Sequence, residues 1–231
     1  MKPLGHKSYG SIPHLPGSRT GPSDHTISEG QYRICCVIAR DTYDNIIVQE
    51  KLDGSNVSVA KVDGQILALG RAGYLAQTSK YEMHQRFAAW VRTRERQFDH
   101  LLREGERVCG EWLLQAHGTI YEPIAPRDLF RPFDIMRKMD RVLSEEVYDR
   151  CLDAELLPVT TIYKGGPHSI GCALSNLDNN PYTLKPIDGS SPEGCVWRVE
   201  RKGKVDFLAK YVRPEKVDGK YLDGPPIWMT R

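Results

Sequence analysis

The chain has 231 residues, 40% of them hydrophobic and 27% charged, the make-up of a soluble globular protein with one domain of ordinary size, or one and a small appendage. There are 32 basic against 30 acidic residues, a net charge of +2. That balance neither requires nor excludes nucleic acid; only its distribution decides. No apolar run approaches a membrane span, and Met1-Lys2-Pro3-Leu4-Gly5-His6 lacks the apolar core of a secretory signal.

Residues 1–30 are rich in Gly, Pro, Ser and His and read as a loop or flexible arm. An apolar run follows at Ile34–Ile38. After the turn Asp44-Asn45, the run Ile46-Ile47-Val48 predicts a strand leading into Lys51. Val57–Val62, the turn Asp63-Gly64 and Gln65–Leu69 predict a hairpin. From Ser79 to Arg103 the period lengthens: Met83, Phe87, Trp90, Arg94, Phe98 and Leu101 recur at spacings of three and four. That predicts an amphipathic helix whose stripe is core, interrupted at Arg94. Strands are expected at Arg107–Gln115 and Phe130–Met136, a short helix capped by Ser144, and a second helix over Pro167–Leu177. Gly194–Val199 and Val205–Tyr211 form a closing pair of strands around Lys202-Gly203-Lys204, before a Pro/Gly-punctuated tail. The six cysteines make no Cys-x-x-Cys pair. Buried free thiols in a reducing compartment, the cytoplasm, are the expectation, without zinc or disulfides.

The chemistry concentrates at Glu50-Lys51-Leu52-Asp53-Gly54-Ser55-Asn56. A polar turn between two strands accounts for such a stretch. So does a lysine nucleophile, whose amine attacks the α-phosphorus of a nucleoside triphosphate. A free lysine is mostly protonated at neutral pH, so that reading needs cations nearby to depress its pKa.

This stretch resembles motif I of the covalent nucleotidyltransferases, the superfamily of RNA ligases, DNA ligases and mRNA capping enzymes. Further motifs of that superfamily follow in order: Arg71-Ala72-Gly73, Gly110-Glu111 on a strand, Phe133-Asp134, and Glu193-Gly194-Cys195-Val196. The last motif, a Lys-x-Lys on a strand, is incomplete. Lys210 supplies its second lysine, but Leu208 stands at the first position.

The resemblance implies an α+β fold of antiparallel sheets flanked by helices around a nucleotide cleft. It implies a nucleotidyltransferase domain over 31–213, an N-terminal arm over 1–30, and a tail over 214–231 too short for an OB-fold. Tyr9–Arg19 is also similar to a segment upstream of the lysine motif in some bacterial and phage RNA-ligase-like proteins, which would place the arm near the nucleotide. The pattern is most similar to small bacterial and phage ATP-dependent RNA ligases.

The roles so implied are Lys51 as nucleophile, and Glu50, Asp53, Asn56, Arg71, Glu111, Phe133 and Lys210 as contacts to ATP or AMP. Glu111 would hold the ribose and Phe133 would stack on adenine. Glu193, with Glu111, would hold Mg2+ or Mn2+, and Arg71 would help keep Lys51 deprotonated. The substrates would be RNA ends, a 5′-phosphate and a 3′-hydroxyl, prepared by an end-healing kinase/phosphatase. A DNA substrate, a self-adenylylating protein that seals poorly, and a non-catalytic nucleic-acid-binding module are the alternatives.

Overall fold

Alternation along the strands decides which side of each sheet is apolar. In β1 (Asp44–Lys51) Ile46 and Val48 point one way, and Ile47, Gln49 and Lys51 the other. In β2 (Ser55–Val62) Val57 and Val59 face a core, while Asn56 and Ser58 face away from it. The same division holds for β4 (Glu106–Trp112), where Val108 and Trp112 oppose Arg107, Cys109 and Glu111. The computed structural model describes residues 2–229; Met1, Thr230 and Arg231, at the outer ends of the arm and tail, lie outside the described residues.

Two antiparallel sheets result. Taking β3 as Gln65–Gly70, β5 as Phe130–Arg137 and β6 as Asp140–Arg141, one sheet runs β3-β2-β4-β5-β6. With β7 at Thr161–Gly165, β8 at Gly194–Arg201 and β9 at Lys204–Val212, the other runs β7-β1-β8-β9. β1 and β2 therefore belong to different sheets. Leu52-Asp53-Gly54 is a crossover, not the hairpin turn that the flanking strands suggest. The Asp63-Gly64 and Lys202-Gly203 hairpins form as expected.

Helices cover the outer faces. α2 (Glu82–Arg92), α3 (Glu95–Leu101) and α4 (Ser144–Asp153) seal the five-stranded sheet, with Phe87, Trp90, Phe98, Trp112 and Phe130 stacked or tilted on one another. α1 (Glu29–Cys36) and α5 (Ile170–Asn179) cover the four-stranded one around Trp197. The expected single helix over 79–103 is two, broken at Thr93-Arg94. Arg94 leaves the stripe and lays its guanidinium over the Trp90 ring, 4.3 Å from its centre. Ser144 is the first residue of α4, not its cap, and its N–H donates to Glu200 Oε1 at 2.6 Å. α1 was not anticipated. Ser28 and Gln31 form a capping box at its start, each side chain accepting the other's backbone N–H at 3.2 Å. All six cysteines are free; five are buried and Cys172 is exposed.

A buried ion cluster pins the inner faces together. Asp134 of β5 takes Arg198 Nη1 of β8 at 2.6 Å, Arg141 Nε at 3.0 Å and the Tyr9 hydroxyl at 2.7 Å. Arg198 also donates to Glu200 and to the carbonyl of Val142. Every charge of this cluster has an opposite partner, the condition under which buried ions are tolerated.

Candidate active site

A cleft of about 590 Å³ opens between the two inner faces, a size suited to a small ligand. Lys51 is the last residue of β1 and enters it from the four-stranded side. The crossover behind it is held on three sides. Asp53 N–H donates to the Tyr121 hydroxyl at 2.9 Å, Asp53 Oδ2 accepts the Gly118 N–H at 2.8 Å, and Gly54 N–H donates to Glu111 Oε1 at 3.1 Å. A Cβ at Gly54 would lie 2.7 Å from the Trp112 carbonyl oxygen, so only glycine lets this strand exit pass so close to β4.

Lys51 Nζ donates to both oxygens of Glu193, at 2.7 and 2.6 Å. Burial alone pulls the lysine pKa down, but Glu193, Glu111 and Asp53 outweigh it and hold it above the ordinary lysine value. The expectation of a lysine kept neutral by Arg71 is thus reversed. Lys51 is an ammonium among carboxylates. Arg71 sits on the rim, where its Nη2 donates to Ser11 Oγ at 3.0 Å. The carboxylates are perturbed in turn. Burial raises Glu111 to about 8 and Glu193 to about 7, with Lys51 pulling both back and neighbouring acids pushing them up. Lys210, entering from β9, is lowered by burial, then by Lys51; Arg71 adds to this and Asp24 opposes it.

The remaining predicted residues divide. Asn56 and Glu111 are register partners on β2 and β4, and both line the cleft. Asn56 Oδ1 is buried with no partner among the described residues, an acceptor free to take a ligand's hydrogen bond. Phe133 lines the cleft because the β4–β5 pairing shifts register: Cys109 faces Asp134, Gly110 faces Pro132, and Phe133 is the extra residue between them. Such a bulge re-aims a side chain. Glu50 borders the cleft, but its side chain shares the helix-covered face with Ile46 and Val48. Its two oxygens accept the N–H groups of Thr160 (2.9 Å) and Leu184 (3.3 Å). Period-two alternation opposes it to Lys51, and its carboxylate anchors two loops. Among the described residues no group of three His, Cys, Asp or Glu side chains could hold a metal ion. Two carboxylates, Glu193 and Glu111, fit Mg2+ or Mn2+, which retain waters and draw further ligands from phosphates.

A sequence model of the RNA ligase family matches residues 44–212, well over half of the chain. The chain belongs to the RNA ligase family. Its fold is shared with an archaeal ATP-dependent RNA ligase (TM-score 0.56, 17% identity, covering 88% of this chain and 48% of that one). It is shared also with a putative ATP-dependent DNA ligase from Aquifex aeolicus (0.52, 17%, 88% and 49%), and with a mutant of the Naegleria gruberi RNA ligase solved with ATP and Mn (0.53, 17%, 87% and 59%). The chain spans about half the length of the first two and under two thirds of the third. No curated protein matches it.

Both ends of this RNA ligase family member contribute residues that sequence reasoning did not assign to the site. Residues 13–19 run beside β9: Lys210 N–H donates to the Pro13 carbonyl at 2.9 Å, and Leu15 N–H to the Lys210 carbonyl at 2.8 Å. Tyr9 and Ile12 line the cleft, with the Tyr9 ring edge-on to Phe133 at 5.1 Å. Gly73, at φ +88°, lets the arm pass. A Cβ there would meet the His6 carbonyl oxygen at 2.2 Å. From the tail, Asp218 and Leu222 line the cleft, and Arg19 joins arm to tail through Asp218 at 2.6 Å. His84 and His117 are cleft residues as well, both with pKa lowered by burial. The tail and His117 sit on irregular segments, where no period marks which side chains point inward, and His84, in the first turn of α2, lies off the apolar stripe that the period marks. Leu208, at the position of the absent lysine, is 7% exposed and also lines the cleft.

Proposed function

We propose that the chain is an ATP-dependent RNA ligase, joining 5′-phosphate and 3′-hydroxyl ends through a lysyl-AMP on Lys51. The observation that carries this reading is the Lys51 amine, hydrogen-bonded to a carboxylate of pKa about 7 inside a cleft walled by an aromatic ring. Lys51 is protonated at rest and must release a proton before it attacks. Glu193 is the base within reach, and its pKa suits proton acceptance near neutrality. The Nζ lone pair then bonds to the α-phosphorus as the bond to the β-phosphate oxygen breaks and pyrophosphate leaves. A 5′-phosphate oxygen of a strand then bonds to the α-phosphorus as the bond to Nζ breaks, and a 3′-hydroxyl, giving up its proton, bonds to that 5′-phosphorus as AMP leaves. These are in-line displacements in which positioning and charge stabilisation do most of the catalysis. Phe133 and Tyr9 would hold the adenine, Asn56 and Glu111 the ribose, and Lys210 and Arg71 the phosphates. A divalent ion, Mg2+ or Mn2+, would be held by Glu111 and, once it has passed on the Lys51 proton, by Glu193, and would neutralise phosphate charge. The ATP and Mn bound to the Naegleria gruberi enzyme support both requirements.

Since such a ligase consumes 5′-phosphates and 3′-hydroxyls, a kinase/phosphatase that heals ends belongs upstream of it. No helix among the described residues is long and apolar enough to cross a membrane, and six free thiols favour the cytoplasm. A second reading rests on Leu208. With one phosphate-contacting lysine absent, the protein would load AMP but seal slowly.

The test is incubation with α-labelled ATP and Mg2+ or Mn2+, then a denaturing gel. Wild type should carry a labelled band and Lys51→Ala none. An adduct on the variant would remove Lys51 as nucleophile, and no band on wild type would remove the ligase reading. Adding 5′-phosphorylated RNA or DNA strands then separates a sealing enzyme from one that stops at AMP.

A further inference from the structure

The cleft opens onto one rim whose charge differs from that of the molecule. Residues 2–12 and 71–86 carry Lys2, Lys7, Arg71, Lys80 and Arg86 against a single acid, Glu82, and Glu82 is already paired with Arg86 at 2.7 Å. The whole chain, by contrast, is only +2. Two tyrosines stand on this rim, Tyr74 at 54% and Tyr81 at 55% exposed. Each has a lysine over its ring, Lys2 Nζ at 5.1 Å and Lys80 Nζ at 5.2 Å. The rim is continuous with the cleft. Tyr81 meets the cleft residue His84 edge-on at 5.8 Å, and His84 is tied by its Nδ1 to Ser79 Oγ at 2.9 Å. On the Tyr74 side the loop begins at the cleft residue Arg71 and is closed by the Gly70 N–H to the Tyr74 carbonyl at 2.9 Å.

Exposed aromatic rings interleaved with lysines, beside a phosphate-handling cleft, suit a flexible single strand. Its bases stack on the rings while its phosphates take the ammonium groups. The lysines now above the rings are long, Lys80 exposed and Lys2 half-buried, and can swing to those phosphates. A duplex, whose bases are already stacked, offers the tyrosines nothing comparable.

We infer that the Tyr74–Tyr81 rim is the docking surface for single-stranded RNA running away from the 5′-phosphate end that enters the cleft. The inference rests on the ligase reading for its direction, but its test does not. A 5′-phosphorylated RNA 12-mer, labelled at its 3′ end, would be titrated with full-length protein by fluorescence anisotropy at several salt concentrations. Tyr74→Ala and Tyr81→Ala should each raise Kd roughly 5- to 100-fold, and Lys80→Glu should weaken binding and flatten the salt dependence. Tyr81→Trp, which keeps a stacking face, should retain wild-type affinity and guards against a folding defect in the alanine variants. The AMP adduct should form at the wild-type rate in all four. Unchanged RNA affinity in the alanine variants, with adduct intact, overturns the surface and leaves the ligase standing. Lost affinity in those variants without any adduct in wild type supports the surface and removes the ligase. Equally tight, tyrosine-dependent binding of a blunt duplex overturns the single-strand assignment.

Discussion

Lys51 and Glu193 form an acid–base pair before any nucleotide arrives, and this fixes how activity must respond to pH. Glu193 has to be ionised to accept the proton of Lys51, and its pKa is about 7. The rate of adduct formation at low ATP should therefore rise about tenfold per pH unit below pH 7 and level off above about 8. A profile flat from pH 5.5 to 8.5 would remove Glu193 as the base. The same burial has a cost for the fold. Both Glu193 and Glu111 have native pKa values above those of an unfolded chain, so the native state binds more protons. Stability from these groups is full below about pH 4.3 and is lost as pH rises through about 7 to 8. Phe133 is tested by truncation. Phe133→Ala should raise KM for ATP about tenfold with little change in kcat, because stacking acts on ground and transition state alike. An unchanged KM would make the ring a core residue only.

At the level of elements, the N-terminal arm is a wall of the cleft, and Gly73 is where it is held. Gly73→Val would force a Cβ into the His6 carbonyl at a left-handed backbone position. It should displace residues 6–9, raise KM for ATP several-fold and lower stability by about 1–2 kcal/mol; steady-state kinetics and a thermal melt read both. This is also where legibility ended. The strands carrying Lys51, Glu111 and Lys210 are legible from their apolar runs, and the α2–α3 stripe from its period. The order of short motifs brought Glu193, Phe133 and Arg71 to the same cleft. The face of Glu50 was readable too, since it is one residue from Lys51 on a strand. The arm was loop by composition, only the resemblance of Tyr9–Arg19 put it near the nucleotide, and its packing follows from tertiary contacts of Tyr9, Leu15 and Ser8. The tail gave no periodic signal, and the protonation of Lys51 depends on Glu111 and Glu193, distant in sequence, as well as on its neighbour Asp53.

For the molecule as a whole, the Asp134 cluster joins the two sheets. Asp134→Leu should cost about 3–5 kcal/mol, because it strips the buried Arg198 of one of its two carboxylate partners and Arg141 of its own. Asp134→Leu with Arg198→Met should recover most of that, as measured by denaturant unfolding. Failure of the double variant to recover would assign the loss to Glu200, Tyr9 or Arg141 instead. The crossover Leu52–Gly54 links the same two sheets beside the nucleophile, so any change in their separation is felt at Lys51.

Arm and tail meet through Arg19 and Asp218, and each lends side chains to the lining of one cavity. Thermodynamic linkage then runs in both directions. A nucleotide that touches both segments must favour their ordered state. Conversely, anything that tugs on, clips or immobilises either segment must change how tightly the nucleotide is held. Residues 5–20 and 214–222 thus report on occupancy of the site from the outside of the molecule, and a protein fused near either one would act, without touching the cleft, as an effector of it.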